Sequence, residues 1–268
     1  MTSRYDDLCA KAYDWMRRLV KPTLRNSHYE YCDRLRECLR GRGRWLDLGC
    51  GHSLLPAWFS PDEQSLDLTA WKTVGIDFDE SALRRHHQLR CLVRGNIERL
   101  PFDAQSFHLV SANMVVEHVE SPHRLFAEIS RVLVGGGRLI IHTPNRSGYT
   151  TVLTRLVPKR LLAPLAALLL KRDAADVYPT YYNANSQEAL AAIANACGLR
   201  IDFLEFVHSS PQFIRLPPLM AAEMTLIRSL ERASLSGFRA CIVAGFTKDE
   251  NQQSRNKPVV SDRFHQEL

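Results

Sequence analysis

Between residues 44 and 144 the chain alternates short apolar runs with helical patterns. The runs RWLDLGCG, TVGIDFD, LVRGNI, the start of HLVSANMVVEH and RLIIHTP predict five buried strands, beginning near residues 44, 73, 92, 108 and 138. Helical patterns over 54–59, 81–89 and 125–133 lie between several of them. Such short-range alternation indicates a parallel sheet with right-handed crossovers. The sequence therefore predicts an α/β fold.

Two more strands and a capped helix follow. Apolar runs over 200–207 and 238–246 predict strands six and seven. Between the fifth and sixth strands, Ser186 starts a strong helical pattern that ends at Cys197, directly before Gly198. Serine is a preferred first residue of a helix and glycine a preferred stop, so this helix has both of its end signals.

The ends of the chain differ in composition from the middle. The spacing of apolar residues predicts helices over 1–43, with a break at Lys21-Pro22. The predicted organisation is N-terminal helices over 1–43, a domain over 44–247 with helical inserts at 150–180 and 209–234, and a polar tail over 248–268.

The overall composition excludes several classes of protein. Of the 268 residues, 45% are hydrophobic and 24% charged, which excludes a wholly disordered chain. The seven cysteines include no C-x-x-C pair, so we expect reduced thiols and a cytoplasmic protein. The first residues lack the apolar run of a signal peptide. The net charge of +6 leaves nucleic acid, an anionic membrane and an acidic substrate open.

A glycine turn closes the first predicted strand, in the order Asp47, Leu48, Gly49, Cys50 and Gly51. Glycines let the backbone turn tightly and approach a ligand closely. The dinucleotide pattern G-x-G-x-x-G fails, because its third glycine would fall on Leu54. The acid before the turn repels a pyrophosphate and attracts a cation. The turn therefore favours a sulfonium amino acid over the nicotinamide cofactor of a dehydrogenase.

A second acidic residue, Asp77, stands at the end of the second predicted strand, with Phe78 beside it. An acid at this point of an α/β sheet can hydrogen-bond both hydroxyls of a ribose, and an aromatic ring can cover an adenine. The alternative is that Asp77 caps the helix that starts near Ser81.

In order and spacing, the motifs WLDLGCG, VGIDFDESAL, GNIERLPFDAQSFHLV and NMVVEHVESPHRLFAEISRVLVGGGRLIIHTPN resemble those of class I S-adenosylmethionine-dependent methyltransferases. They are most similar to the type 11 group, which includes the ubiquinone-biosynthesis methyltransferases. The resemblance covers residues 44–145. It implies a Rossmann-like, doubly wound sheet of seven strands, mostly parallel with an antiparallel last strand, and S-adenosyl-L-methionine as cofactor.

The resemblance also implies roles for single residues. It makes the loop of Asp47, Gly49, Cys50 and Gly51 the methionine end of the cofactor site and Asp77 the ribose ligand. It brings Asn96 and Ile97 to the adenine and Asn113 to the sulfonium side. This chain departs from the family's pattern at three positions: Ser53 replaces the third glycine, Asn96 an aspartate, and His108 another aspartate.

Catalytic candidates follow the fourth predicted strand. His118 is a candidate general base and Glu117 a residue that could orient it; alternatively, both only pack locally at the sheet edge. Met114 occupies the position of a metal-binding acid in the similar O-methyltransferases, so we predict no metal site. Tyr181, in an aromatic loop, is expected to lie over the acceptor.

Residues 153–172 carry five positive charges, no acid and a long apolar stretch. They predict either a lid over the acceptor or a peripheral contact with the inner face of a membrane. We predict methyl transfer to a small-molecule or lipid-like acceptor, with oxygen favoured. A catalytically silent cofactor-binding partner protein is the alternative. Nucleic acid is a minor alternative, since no recognised module accompanies the basic residues. The oligomeric state stays open.

Overall fold

The computed structural model describes residues 4–56, 58–60, 62–63, 65–158 and 179–250. Its centre is one sheet of seven strands in the order β3-β2-β1-β4-β5-β7-β6. The strands are β1 (Gly43–Leu48), β2 (Trp71–Asp77), β3 (Cys91–Arg94), β4 (Phe107–Asn113), β5 (Leu133–Pro144), β6 (Leu199–Val207) and β7 (Cys241–Lys248).

Strand direction confirms the predicted fold class. Strands β1 to β5 pair with one another in parallel, while β7 runs antiparallel to both β5 and β6. The chain reverses its direction of winding between β1 and β4, which are neighbours in the sheet but not in sequence. In open α/β sheets, ligands bind outside the carboxyl ends of the strands at this point.

Helices cover both faces of the sheet. They are α1 (Arg4–Val20), α2 (Ser27–Leu39), α3 (Glu80–Arg85), α4 (Pro122–Val132), α5 (Tyr149–Leu156), α6 (Gln187–Ala196) and α7 (Pro217–Ser229). Short 3-10 helices span Val116–His118 and Ala233–Phe238. Helices α4 and α6 share one hydrophobic core with the sheet, and α2 shares a second core around the fully buried Trp45. The sheet is therefore doubly wound.

The predicted helix after Ser186 is confirmed, and α2 lies within the predicted helical region 1–43. Helix α2 spans Ser27–Leu39, and Asn26 caps it by accepting a hydrogen bond from the amide of His28. Ser186 caps α6 by accepting from the amide of Ala189, and Gly198 follows with a φ of +69°.

The helix predicted over 54–59 is wrong. The described residues between Gly49 and Ala70 form turns and irregular structure. Pro56 disfavours helical geometry at Leu55, because its ring clashes with the preceding residue in that conformation. Side chains hold the segment instead: Leu54 donates its amide to Gln88 Oε1 at 2.8 Å, and Ser53 Oγ donates to the carbonyl of Leu55 at 2.9 Å.

Three other predicted boundaries shift. Helix α3 ends at Arg85 rather than Leu89, because His86 Nδ1 accepts the amide of Leu89. Helix α4 spans Pro122–Val132 rather than 125–133, and β5 begins at Leu133 rather than near residue 138. Strand β7 begins at Cys241, since the 3-10 helix occupies residues up to Phe238.

The positively charged segment 153–172 is described only in part. Helix α5 supplies its first residues, and residues 159–172 lie outside the described part of the chain. Within the described residues, no helix is long and apolar enough to cross a membrane.

Gly245 in β7 tests the packing between the antiparallel strands. A Cβ at Gly245 would overlap the ring of Phe203 on the neighbouring edge strand β6, so Gly245→Ala must displace that ring. We expect the free energy of unfolding in urea to fall by about 1–3 kcal/mol. The matched control is Gly237→Ala, whose Cβ would meet nothing within 4 Å, and its change should stay within about 0.5 kcal/mol. Equal effects of the two substitutions would contradict this packing.

Candidate active site

A cavity of about 650 Å³ opens at the carboxyl ends of β1, β2 and β4. Its volume is in the range of small-molecule sites, which is roughly 300–1,000 Å³. Six of the nine predicted cofactor residues line it, namely Gly49, Gly51, Asp77, Phe78, Asn96 and Ile97. Two of the three catalytic candidates, His118 and Tyr181, line it as well.

The glycine loop takes a backbone shape that other residues rarely adopt. Gly49 has a φ of +60° and Gly51 a φ of +53°, both in the left-handed region. A Cβ at Gly49 would lie 2.5 Å from Cγ2 of Val115, so the loop packs against the turn after β4. A Cβ at Gly51 would meet nothing within 4 Å, because this residue faces the open cavity.

Asp77 ties the glycine loop to the end of β2. Its buried carboxylate accepts the amide of Gly51 at 2.9 Å through Oδ2 and the amide of Asp79 at 2.9 Å through Oδ1. A carboxylate oxygen has two lone pairs, so each oxygen keeps one for a ligand donor. The cap of α3 is Asp79, which accepts the amide of Ser81 at 2.8 Å. The capping role considered for Asp77 therefore belongs to Asp79.

Phe78, Asn96 and Ile97 form the outer part of the cavity. Phe78 is 62% exposed, so its ring is accessible from the cavity. Asn96 Oδ1 accepts the amide of Glu98 at 2.8 Å and so holds the turn after β3. Ile97 packs against the core beneath the sheet edge.

Asp47 lies behind the cavity wall rather than in it. The Ser111 hydroxyl donates to its carboxylate at 2.5 Å, and Trp45 Nε1 donates to the same hydroxyl at 2.7 Å. Burial, with a smaller contribution from the charge of Asp77, raises the pKa of Asp47 to about 7. Asp47, the acid expected to attract a cationic ligand, therefore lies below the glycine loop and outside the cavity.

Cys50 and Asn113 also lie outside the wall. The Cys50 thiol is packed so closely over Gly75 that a Cβ there would lie 2.7 Å from it, and burial raises the pKa of the thiol. Asn113 Oδ1 lies 2.8 Å from Nδ1 of the buried His142. These two side chains therefore support the loop ends instead of lining the cavity.

The turn containing Glu117 and His118 is tied to residues 179–183. His118 Nδ1 lies 2.7 Å from the carbonyl of Pro179, the amide of Tyr181 donates to the carbonyl of Glu117 at 2.8 Å, and Asn183 Nδ2 donates to the carbonyl of Glu120 at 2.9 Å. Together these bonds close one wall of the cavity.

Glu117 does not take the orienting position considered for it. Its Oε1 is 3.9 Å from His118 Nε2, which is too long for a hydrogen bond. The carboxylate is buried and accepts the Thr143 hydroxyl at 3.0 Å, while Asn185 Nδ2 donates to the same hydroxyl at 2.6 Å. Glu117 therefore joins the turn to the end of β5.

Sequence reasoning missed several lining residues, among them His52, Asp79, Arg85, Glu98, Met114 and Glu120. Met114 adopts a φ of +56°, and its amide donates to the carbonyl of His142 at 2.8 Å. A positive φ is rare outside glycine, asparagine and aspartate, so nothing in the sequence signals it. Asp79 could have been found, because it stands two residues before Ser81 in a typical capping position.

Known proteins resemble the part of the chain that builds this cavity. Residues 46–141 match the family model described as a methyltransferase domain. A probable S-adenosylmethionine-dependent methyltransferase of Mycobacterium tuberculosis is 30% identical over 104 residues, which cover 38% of this chain and 35% of the relative. A ubiquinone biosynthesis O-methyltransferase of Coxiella burnetii is 29% identical over 109 residues, covering 38% and 44%. The match thus spans less than half the length of these relatives.

Solved structures extend the likeness to most of the fold. A candidate sarcosine dimethylglycine methyltransferase from Galdieria sulphuraria has a TM-score of 0.52 at 15% identity, covering 83% of this chain and 85% of that chain. The chain therefore shares its fold with this structure over most of its length. Within that fold, residues 46–141 are similar to a methyltransferase domain, and the relative from Mycobacterium tuberculosis is named as dependent on S-adenosylmethionine.

The raised pKa of Asp47 predicts a pH-dependent stability. The folded chain holds this proton up to about pH 7, whereas an unfolded aspartate loses it near pH 3.9. The stability gained from the bound proton is therefore full at low pH and lost as the pH rises through about 7. Asp47→Asn keeps an oxygen for the Ser111 hydroxyl and has no charge to bury. The unfolding free energy of this variant, relative to that of the wild type, should rise by on the order of 3 kcal/mol when the pH is raised from about 4 to about 8.

Urea denaturation at several pH values measures this gain. The control is Asp103→Asn, at an exposed position, which should follow the pH profile of the wild type. A pH-independent difference between Asp47→Asn and the wild type would show that Asp47 is not buried as a neutral acid.

Proposed function

We propose that this chain transfers the methyl group of S-adenosylmethionine to an oxygen atom of a small-molecule or lipid-like acceptor. The observation that carries the proposal is the buried Asp77 carboxylate, which is fixed by two backbone amides and faces the cavity with its remaining lone pairs. Such a carboxylate suits the two hydroxyls of a ribose. The open space over Gly51 leaves room for the methionine end of the ligand.

The other predicted cofactor residues have two kinds of role in this proposal. Phe78, Asn96 and Ile97 would border the adenine, because they lie in the outer wall of the same cavity. Asp47, Cys50 and Asn113 would act from behind the wall, by holding the loop ends.

When bound, S-adenosylmethionine supplies an activated methyl group. The protein must then mainly hold an acceptor oxygen in line with that group, since alignment alone can supply a large part of the rate. Met114, Val115, Val119 and Tyr181 line the cavity on the side of the turn after β4. Their apolar surface suits the body of an organic or lipid-like acceptor.

His118 would accept the proton that an acceptor hydroxyl loses. A carbonyl oxygen can only accept, so the short contact with Pro179 places the hydrogen of the neutral ring on Nδ1. The lone pair is then on Nε2, which is the ring nitrogen left to accept a proton. Tyr181, half exposed beside it, would cover the acceptor.

Oxygen is favoured over nitrogen or carbon for two reasons. A hydroxyl needs a base during transfer, and His118 is placed in the cavity wall. The similar protein from Coxiella burnetii is named as an O-methyltransferase.

The proposed setting is the cytoplasm, with residues 153–172 as a lid or a membrane contact.

The direct test is turnover with a labelled methyl donor and a panel of hydroxyl-bearing metabolites and lipids. We expect a product one methyl heavier, with the label on oxygen. Label on nitrogen or carbon would contradict the choice of oxygen. Cofactor binding without transfer to any acceptor in a whole metabolite and lipid extract would favour the silent partner protein.

His118→Asn separates catalysis from binding in that assay. Asparagine can still donate a hydrogen bond to the carbonyl of Pro179 but cannot accept the proton. We expect kcat to fall by about a hundredfold or more, with a change in cofactor Kd of less than about threefold. The matched control is His123→Asn, outside the cavity wall, which should retain wild-type kcat. Unchanged turnover in His118→Asn would remove His118 from the mechanism.

A further inference from the structure

Helix α1 exposes large apolar side chains along one face. Leu8 is 58% exposed, Trp15 62% and Leu19 64%. They lie seven and four residues apart, which places them in one row along the helix. A surface helix normally turns such residues toward the core.

A different face of α1 packs against the core of the protein. Cys9 is buried, and Tyr13, Met16 and Val20 pack against a hydrophobic cluster that contains Met220 and Met224 of α7. Tyr5 Oη also donates to the carbonyl of Arg215, which precedes α7. The helix is therefore fixed to the body of the protein, and its row of Leu8, Trp15 and Leu19 remains outside.

Cations flank this row. Arg4 and Lys11 lie one turn before and after Leu8, and Lys11 and Arg18 lie one turn before and after Trp15. The three cations are exposed and follow each other at intervals of seven residues, or about 10 Å along the helix. Two acids accompany these cations: Asp14 pairs with Arg18 at 2.7 Å, and the exposed Asp7 lies one turn from both Arg4 and Lys11, so this side of the helix keeps a small net positive charge.

We propose that this face of α1, formed by Leu8, Trp15 and Leu19 with Arg4, Lys11 and Arg18, binds the surface of an anionic lipid bilayer. Helices that lie in a membrane interface combine an apolar row with flanking Lys and Arg, and tryptophan is enriched at that depth. The cations favour a bilayer as the occupant, because positive charges one turn from Leu8 and from Trp15 suit anionic headgroups beside an apolar row.

The position of α1 connects this face to the cavity. Met114, which lines the cavity, packs against the same hydrophobic cluster as the buried face of α1. A membrane on the exposed face of α1 would therefore be connected to the cavity wall through this cluster. The binding proposal does not rest on the proposed reaction, because it needs neither cofactor nor turnover.

Flotation of the full chain with vesicles tests the proposal. We expect binding to vesicles of mixed phosphatidylcholine and phosphatidylglycerol, weak binding to pure phosphatidylcholine, and loss of binding at high salt. Trp15→Ser and Leu8→Ser should each lower the partition coefficient by about tenfold. Both residues are exposed, so the variants should keep the wild-type thermal midpoint.

Two controls separate this face from other surfaces. Lys72→Glu, at an exposed position on β2, removes a cation elsewhere and should bind anionic vesicles far better than Lys11→Glu. Vesicles should also shift tryptophan emission to the blue in the wild type, and Trp15→Phe should keep binding but lose most of this shift.

Binding that Trp15→Ser and Leu8→Ser leave unchanged would overturn the proposal. So would no binding to anionic vesicles, or a dimer in light scattering that Trp15→Ser dissociates.

Discussion

The carboxylate of Asp77 is the interaction on which the geometry of the cavity depends. It joins the glycine loop after β1 to the end of β2 through two backbone amides, and both partners are loop residues with no strand to hold them. A buried carboxylate that accepts two amides is rigid, because moving either loop would leave a charge unpaired in a poorly solvated place. The positive φ values of Gly49 and Gly51 let the loop reach this acid.

A second buried acid lies below the first one. Asp47 and Asp77 sit at the ends of neighbouring strands, and burial, with a smaller contribution from the charge of Asp77, raises the pKa of Asp47 to about 7. The Ser111 hydroxyl and the Trp45 indole fix Asp47 in the second core, where α2 covers the sheet. The site is thus linked to the N-terminal helices through the core. The same N-terminal region carries the apolar face of α1, so binding at a membrane and binding of a ligand would involve adjoining parts of one protein.

Periodic features of the sequence predicted the fold well. Apolar runs ending in glycine or aspartate predicted the strands, and Ser186 marks a helix start that the structure confirms. A prediction failed where a side chain from elsewhere decided the local structure, because Gln88 holds the amide of Leu54 where a helix was expected. Of the two alternatives left open for Glu117, its hydrogen bond from Thr143 fits local packing at the sheet edge. The direction of a side chain that follows a strand depends on such contacts, which no spacing reveals.

Calorimetric titration with S-adenosylmethionine tests the central claim, which is that Asp77 holds the cofactor in this cavity. The wild type and Glu80→Ala, whose side chain pairs with Arg84 and Arg94 outside the cavity, should bind alike. Asp77→Ala should weaken binding by about a hundredfold or more, since two hydrogen bonds to a charged group are lost, and the isosteric Asp77→Asn, which keeps one acceptor oxygen and no charge, should weaken it by about tenfold or more. Folded Asp77 variants that bind the cofactor as tightly as the wild type would contradict the account.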